Sequence, residues 1–314
     1  MRSFVRWCRA TCLGALLGLA LVSSALAAPF GRVVVFGDSL SDPGNAFVLL
    51  GTASAPPFQS LIPSAPYALD GHHFSNGPTW IEQIAQAGPA LRNPGMSFNY
   101  AVGGARARLA GAFDLTGQVT RYLADVGGKG SGDARYVVWV GGDDLRDAVQ
   151  ALATDPSGAQ SQLIVQQAIG VIQNNLLLLY SAGARNFLVP NLPDIGLTPE
   201  ARLQGPVAQF YATAFSRQFN AGLEQMLAGL QSALGVSIAR LDVFTLHHEI
   251  TALPIVFGLT NVSAPCIRLN VTVKPYCANP DQYLFWDGIH PTFAGHRIIG
   301  LRAIAALLLV RRGA

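Results

Sequence analysis

The run Val33-Val34-Val35-Phe36, followed by Gly37-Asp38-Ser39-Leu40-Ser41-Asp42, is the stretch that most restricts what this chain can fold into. Three β-branched residues and a Phe with no polar alternation describe a fully buried strand. The run stops at Gly37, and Asp38, Ser39, Ser41 and Asp42 are residues that favour turns and helix starts. A Ser is thereby delivered to the C-terminal edge of a sheet, where open α/β folds place their chemistry. Helix N-termini at that edge favour negative charge. Such a Ser has two readings, the cap of the next helix or a nucleophile, and residues further along the chain must decide between them.

The rest of the pattern agrees with a parallel sheet covered by helices on both faces. Strands are expected over 32–36, 97–101, 135–141, 185–189 and 236–241, and helices over 79–87, 160–182, 206–233 and 292–311. Gly183 follows the second of these helices as a plausible C′ residue. Two long stretches, 51–78 and 251–286, show no regular pattern. Loops of that length are uncommon unless functional, so both are expected over the site edge, where they would shape a substrate cleft.

The first residues read as a targeting segment. Arg2, Arg6 and Arg9 precede an apolar run from Leu13 to Val22 and then Ala25-Leu26-Ala27, the order of a secretory signal peptide cleaved after Ala27. The apolar core is short for a membrane span, which needs about 20 residues. A signal at 1–27 leaves one domain over 28–314. It also removes three Arg and no acid, after which 18 basic residues face 18 acidic ones. That balance gives no support for nucleic acid as a partner. Of four Cys, Cys266 and Cys277 remain beyond the signal, and export points to a disulfide between them.

Acyl transfer needs a nucleophile, a base, a group that orients the base and donors aimed at the developing oxyanion. Asp287 and His290, within Phe285-Trp286-Asp287-Gly288-Ile289-His290-Pro291-Thr292, are three residues apart. On a turn this spacing puts both side chains on one side. Asp287 can then accept from one imidazole nitrogen while the other faces Ser39. The other reading is a helix-entry turn capped by Asp287. His296 is a rival base inside the expected last helix. His72 and His73 lie in a polar loop and are read as exposed rather than metal-bound. His247-His248-Glu249 does not complete a zinc-protease helix, because Ala252 stands where a second His is required.

Four segments resemble, in order, the signature blocks of the GDSL, or SGNH, serine hydrolases. Gly37-Asp38-Ser39-Leu40 matches the namesake block, Asn99-Tyr100-Ala101-Val102-Gly103-Gly104-Ala105 the second, Val138-Trp139-Val140-Gly141-Gly142-Asp143-Asp144-Leu145 the third, and Asp287 with His290 the last. Phe74-Ser75-Asn76-Gly77-Pro78-Thr79-Trp80 resembles a segment of the lipase-like branch. The resemblance implies a three-layer, flavodoxin-like α/β fold with a central, mainly parallel five-stranded sheet. It implies a catalytic set of Ser39, Asp287 and His290, with no metal or organic cofactor. The implied oxyanion donors are the N–H groups of Ser39 and Gly104, with Gly103 as the alternative to Gly104, and the side chain at 143.

At 143 the chain departs from the family, which has Asn there. An ionised Asp only accepts, and losing one oxyanion donor costs about 10²–10³ in rate. Asp143 could be protonated and donate its O–H, the two backbone donors could suffice, or catalysis could be lost. The implied activity is hydrolysis of carboxylic esters by a secreted or periplasmic enzyme. A lipid or phospholipid acyl ester is the expected substrate, with transient contact to a membrane surface. The alternatives are a carbohydrate acetylesterase and, from another class, an inactive lipid- or glycan-binding module. Tyr67, Phe74 and Trp80 would suit either ligand.

Overall fold

The computed structural model describes residues 32–50, 62, 71–87 and 98–312. The expected signal at 1–27, Tyr67 and most of the stretch 51–78 lie outside the described residues. Five parallel strands form the central sheet: β1 (Val33–Gly37), β2 (Phe98–Asn99), β3 (Arg135–Trp139), β4 (Asn186–Pro190) and β5 (Ser237–Leu241), in the order β2-β1-β3-β4-β5. Val34, Val35 and Phe36 are buried, as are Tyr136 to Trp139 and Phe187 to Val189. The apolar runs without alternation are thus strands covered on both faces.

Nine helices accompany the sheet among the described residues. They are α1 (Asn45–Leu50), α2 (Trp80–Ala87), α3 (Leu115–Asp125), α4 (Gly142–Ala151), α5 (Ala159–Ser181), α6 (Pro199–Gln204), α7 (Pro206–Leu234), α8 (Val243–Ala252) and α9 (Phe293–Arg312). They pack as two groups: α9 lies along α2 and against β5, whereas α4, α5 and α7 pack on one another with α3 against α5. Helix α5 is long and apolar enough to cross a membrane, yet its Ile164, Val165, Ile172, Leu176 and Leu179 are buried in the core. Its apolarity is that of a central helix.

Helix α2 begins at Trp80, one residue after the expected start at 79, because Thr79 and Glu82 cap it. The Glu82 carboxylate accepts from the Thr79 N–H at 2.9 Å and from its hydroxyl at 2.7 Å, a capping-box arrangement. Trp80 is fully buried, so it is core and not a cleft aromatic. His73 is likewise buried, against the expectation of an exposed loop: its Nε2 lies 3.0 Å from Glu82.

The stretch 251–286 is more regular than its sequence indicates. It holds β6 (Asn261–Pro265) paired in parallel with β7 (Tyr283–Phe285). The Cys266–Cys277 disulfide closes the loop between these strands.

The strand order places β1 beside β3, with β2 on the far side of β1. The chain reverses direction across the sheet at that point, so the crevice beyond the C-terminal ends of β1 and β3 is open to a ligand.

Candidate active site

Ser39 follows β1 at this crevice. The turn that carries it is closed by the Ser41 N–H donating to the Asp38 carbonyl at 3.1 Å and the Leu40 N–H donating to Asp38 Oδ1 at 3.0 Å. The end of β1 extends past the short β2, and buried Gln118 completes it, accepting from the Gly37 N–H at 2.9 Å and donating to the Gly37 carbonyl at 2.8 Å. Ser41 is held from two sides. Trp80 Nε1 donates to its hydroxyl at 3.0 Å, and the Asn99 amide donates to its carbonyl at 2.8 Å.

Asp287 and His290 share a bend between β7 and α9. Asp287 Oδ1 accepts from the Ile289 and His290 N–H groups at 2.8 and 2.7 Å, and Oδ2 lies 2.6 Å from His290 Nδ1. His290 Nε2 lies 2.7 Å from Ser39 Oγ. With Nδ1–H donating to Asp287, Nε2 is left to accept the Ser39 hydroxyl. All three side chains are buried. The segment that resembles the lipase-like branch braces this bend. Ser75 donates to the Pro291 carbonyl at 2.9 Å, Asn76 accepts from the Phe293 N–H at 2.7 Å, and the Phe74 ring sits 5.1 Å from that of His290.

Two glycines supply backbone the site requires. Gly141 has φ +126, which lets the chain leave β3 and enter α4. Gly104 has φ +81, its carbonyl accepts from Arg106 at 3.0 Å, and its N–H has no acceptor among the described residues. The Gly103 N–H is committed to Asp42 Oδ2 at 2.7 Å. Of the two glycines, Gly104 therefore holds the uncommitted N–H. Asp144 secures this loop to α4, accepting from the Ala107 N–H at 2.7 Å and from Arg108.

Asp143 lines the same pocket as Ser39 and His290, but as the acceptor in an ion pair. Arg146 Nη1 donates to Asp143 Oδ1 at 2.9 Å. The other edge of the guanidinium forks onto Glu200, with Nε and Nη2 each donating at 2.9 Å. The Glu200 N–H in turn donates to the Gly288 carbonyl at 2.9 Å, beside Asp287. Of the three readings open for Asp143, this pairing concerns Oδ1, which accepts from a guanidinium donor. Asp38, also in the pocket, is pushed well above the usual carboxylate range by its burial and then by the charge of Asp143.

The pointer to Arg146 in the sequence is its i, i+3 spacing from Asp143 at a helix start, and Glu200 carries none. His247 was set aside as part of a failed metal motif, yet it is buried and lines the pocket. His296 is buried in α9, and that burial pushes its imidazole down to about 3, which leaves it neutral and unsuited to replace His290. Besides Ser39 and His290, the pocket is lined by Val149, Ile195, Ala212, Val243, Leu246 and Ile250. Of the stretch 251–286, only Leu284 and Phe285 line it.

A sequence model described as GDSL-like Lipase/Acylhydrolase matches residues 33–303. A phosphatidylcholine-sterol acyltransferase of Aeromonas hydrophila is 29% identical over 91% of this chain and 92% of its own length. Esterase EstA of Pseudomonas aeruginosa is 31% identical over 92% of this chain and 48% of its own length. Among solved structures, the acetylxylan esterase Axe2 of Geobacillus stearothermophilus overlays with a TM-score of 0.46 at 16% identity, covering 90% of this chain and 96% of that one.

Proposed function

The chain belongs to the GDSL-like lipase/acylhydrolase family and is a carboxylic ester hydrolase, and from that premise we propose that it cleaves lipid acyl esters through an acyl-enzyme on Ser39. His290 Nε2 takes the Ser39 proton as Oγ attacks the ester carbonyl. Asp287 holds the imidazole in the required tautomer and stabilises the imidazolium. The Ser39 and Gly104 N–H groups face the oxyanion, while Asp143 contributes no donor. His290 returns its proton to the departing alkoxide, so the alcohol leaves neutral. Water, deprotonated by the same nitrogen, then attacks the acyl carbonyl, the bond to Ser39 Oγ breaks, and His290 returns the proton to Oγ as the acid leaves.

The observation that supports a long acyl group is the pocket itself, which holds Ser39 and His290 and is lined also by Val149, Ile195, Ala212, Val243, Leu246 and Ile250. An acetyl group would leave most of that surface in water, and each buried CH₂ contributes about 0.8 kcal/mol. The Aeromonas hydrophila relative, a phosphatidylcholine-sterol acyltransferase by name, agrees with a lipid ester.

Hydrolysis of p-nitrophenyl esters from acetate to palmitate, beside Ser39→Ala, tests the proposal. Activity that vanishes in the variant and peaks beyond butyrate is expected. A peak at acetate would replace the lipid reading with the carbohydrate acetylesterase one. Activity retained in Ser39→Ala would remove the nucleophile. Export is part of the same proposal, and N-terminal sequencing of protein recovered outside the cytoplasm should begin at Ala28.

A further inference from the structure

Gly104 sits in a turn that its own residues do little to hold. The Ala105 N–H donates to the Val102 carbonyl at 3.1 Å, and Gly104, the third residue, has φ +81. These are the features of a type II turn, within which the N–H of the third residue makes no bond. Gly103 and Gly104 carry no side chain that could anchor it, and a Cβ at Gly104 would meet nothing within 4 Å. The turn is tethered from outside instead. Asp42 accepts from the Gly103 N–H at 2.7 Å, and Arg106 Nη1 donates to the Gly104 carbonyl at 3.0 Å. That carbonyl has no other donor among the described residues.

Arg106 is itself fixed at both ends. Its N–H donates to Asp114 Oδ1 at 2.8 Å and its carbonyl accepts from the Leu115 N–H at 3.1 Å, which ties its backbone to the start of α3. Nε and Nη2 fork onto the Asp147 carboxylate of α4 at 2.5 and 2.9 Å, the bidentate geometry that fixes a guanidinium plane. Nη1 is left to reach Gly104. Arg108 also donates to Asp147, at 2.8 Å, but its other nitrogen goes to Asp144 and not to the turn. Helix α4 starts at Gly142, which lines the pocket with Ser39. The fork therefore ties the Gly104 turn to the helix that borders the nucleophile. An oxyanion donor works at about 2.7–3.1 Å, and misplacement by about 1 Å costs about 100-fold in rate. Resting on the reading of Gly104 as an oxyanion donor, we propose that Arg106 is a positioning residue for ester hydrolysis: forked on Asp147, it clamps the Gly104 carbonyl and so keeps the Gly104 N–H aimed at the tetrahedral intermediate.

The test is steady-state kinetics on p-nitrophenyl butyrate and the inhibition constant of butylboronic acid, a tetrahedral analogue once bound to the serine. Both are measured on the wild type, Arg106→Met, Arg106→Lys and Asp147→Asn, with Tm as the control for folding. Arg106→Met should lower kcat about 10- to 100-fold, hold KM within about threefold and weaken the boronate by the same factor as kcat, because the contact is realised in the transition state and not in the ground state. A lysine cannot reproduce the planar fork and the third contact together, so Arg106→Lys should recover only part of the loss. Asp147→Asn should lose less than Arg106→Met, since Nη1 keeps its reach to Gly104. A kcat in Arg106→Met within about threefold of the wild type would overturn the inference and leave the acyl-enzyme reading standing. A fall in kcat with boronate affinity unchanged would overturn it too, placing the effect outside the oxyanion site. Neither ester hydrolysis nor boronate binding by the wild type would remove the acyl-enzyme reading and this inference together. Should Arg106→Met fail to fold, Arg106→Lys decides: a matched loss in kcat and boronate affinity is expected, and wild-type values of both would overturn the inference.

Discussion

Replacing Asp143 with Asn and Arg146 with Met, singly and together, measures what the ion pair beside the nucleophile does. The nearest atoms of the pair are 2.9 Å apart. At an effective dielectric of about 20 that corresponds to about 6 kcal/mol of gross attraction. The Arg146 side chain is 26% exposed and that of Asp143 11%. Desolvation and solvent screening reduce the net coupling to about 1–3 kcal/mol. With Arg146 gone, the Asp143 charge faces the oxyanion uncompensated. Toward the upper end of that range, kcat falls about 100-fold, with KM for a short ester nearly unchanged because the ground-state carbonyl carries no full charge. Asp143→Asn alone restores an amide donor and raises kcat by about tenfold or more. In the Arg146→Met background the same change recovers the hundredfold loss. Steady-state kinetics on p-nitrophenyl butyrate, with Tm as the control for folding, read all four corners of the cycle. An equal loss in Arg146→Met and in the double variant would refute the reasoning. Arg146 would then act only through Glu200 and the Gly288 backbone.

Three further outcomes follow from the geometry. A Cβ on Gly103 would lie 2.2 Å from Phe74 Cε2, so Gly103→Ala should cost about 1–3 kcal/mol of stability; because Phe74 braces His290, activity should fall with it, measured by urea unfolding and ester turnover. His247 and His296 are pushed by burial from 6.5 to about 4 and about 3. The unfolded chain therefore binds protons that the folded chain refuses, so their stabilising share is full above pH 6.5 and drains as pH falls toward 4. At about pH 5 each histidine should cost about 2 kcal/mol, and His247→Leu should show a correspondingly smaller drop in unfolding free energy between pH 8 and pH 5 than the wild type. Removing the Cys266–Cys277 bridge by Cys266→Ser with Cys277→Ser should cost about 3 kcal/mol in the chain-entropy view, seen as a lower urea midpoint that dithiothreitol reproduces in the wild type.

Much of the site was legible because its parts are local. The unalternating Val33–Phe36 run marks a strand buried on both faces. The turn residues after Gly37 expose Ser39 at its end, and the spacing of Asp287 and His290 lets one bend hold both. The five strands and four helices expected from periodicity lie within a residue or two of their places, whereas α1, α3, α4, α6 and α8 were not among the expected elements. Periodicity did not reveal β6 and β7, which are short and exist through pairing with each other. The loop at 71–73 illustrates the same limit: its polarity signals exposure, but the Glu82 carboxylate at the start of α2 draws His73 inward.

What the sequence by itself determined is the set of reacting groups and the strand order's general class, since a nucleophile turn, a base and a buried strand are each encoded within a few neighbouring residues. Only the tertiary structure decided the electrostatics around them. Ser39 and His290 meet across 251 residues and Arg146 and Glu200 across 54, so the ion pair that Asp143 enters depends on which side chains the fold brings within reach of α4. The place of His247 in the pocket lining was settled in the same way. Charge and desolvation act through space at a few ångströms, and spacing along the chain carries no record of them.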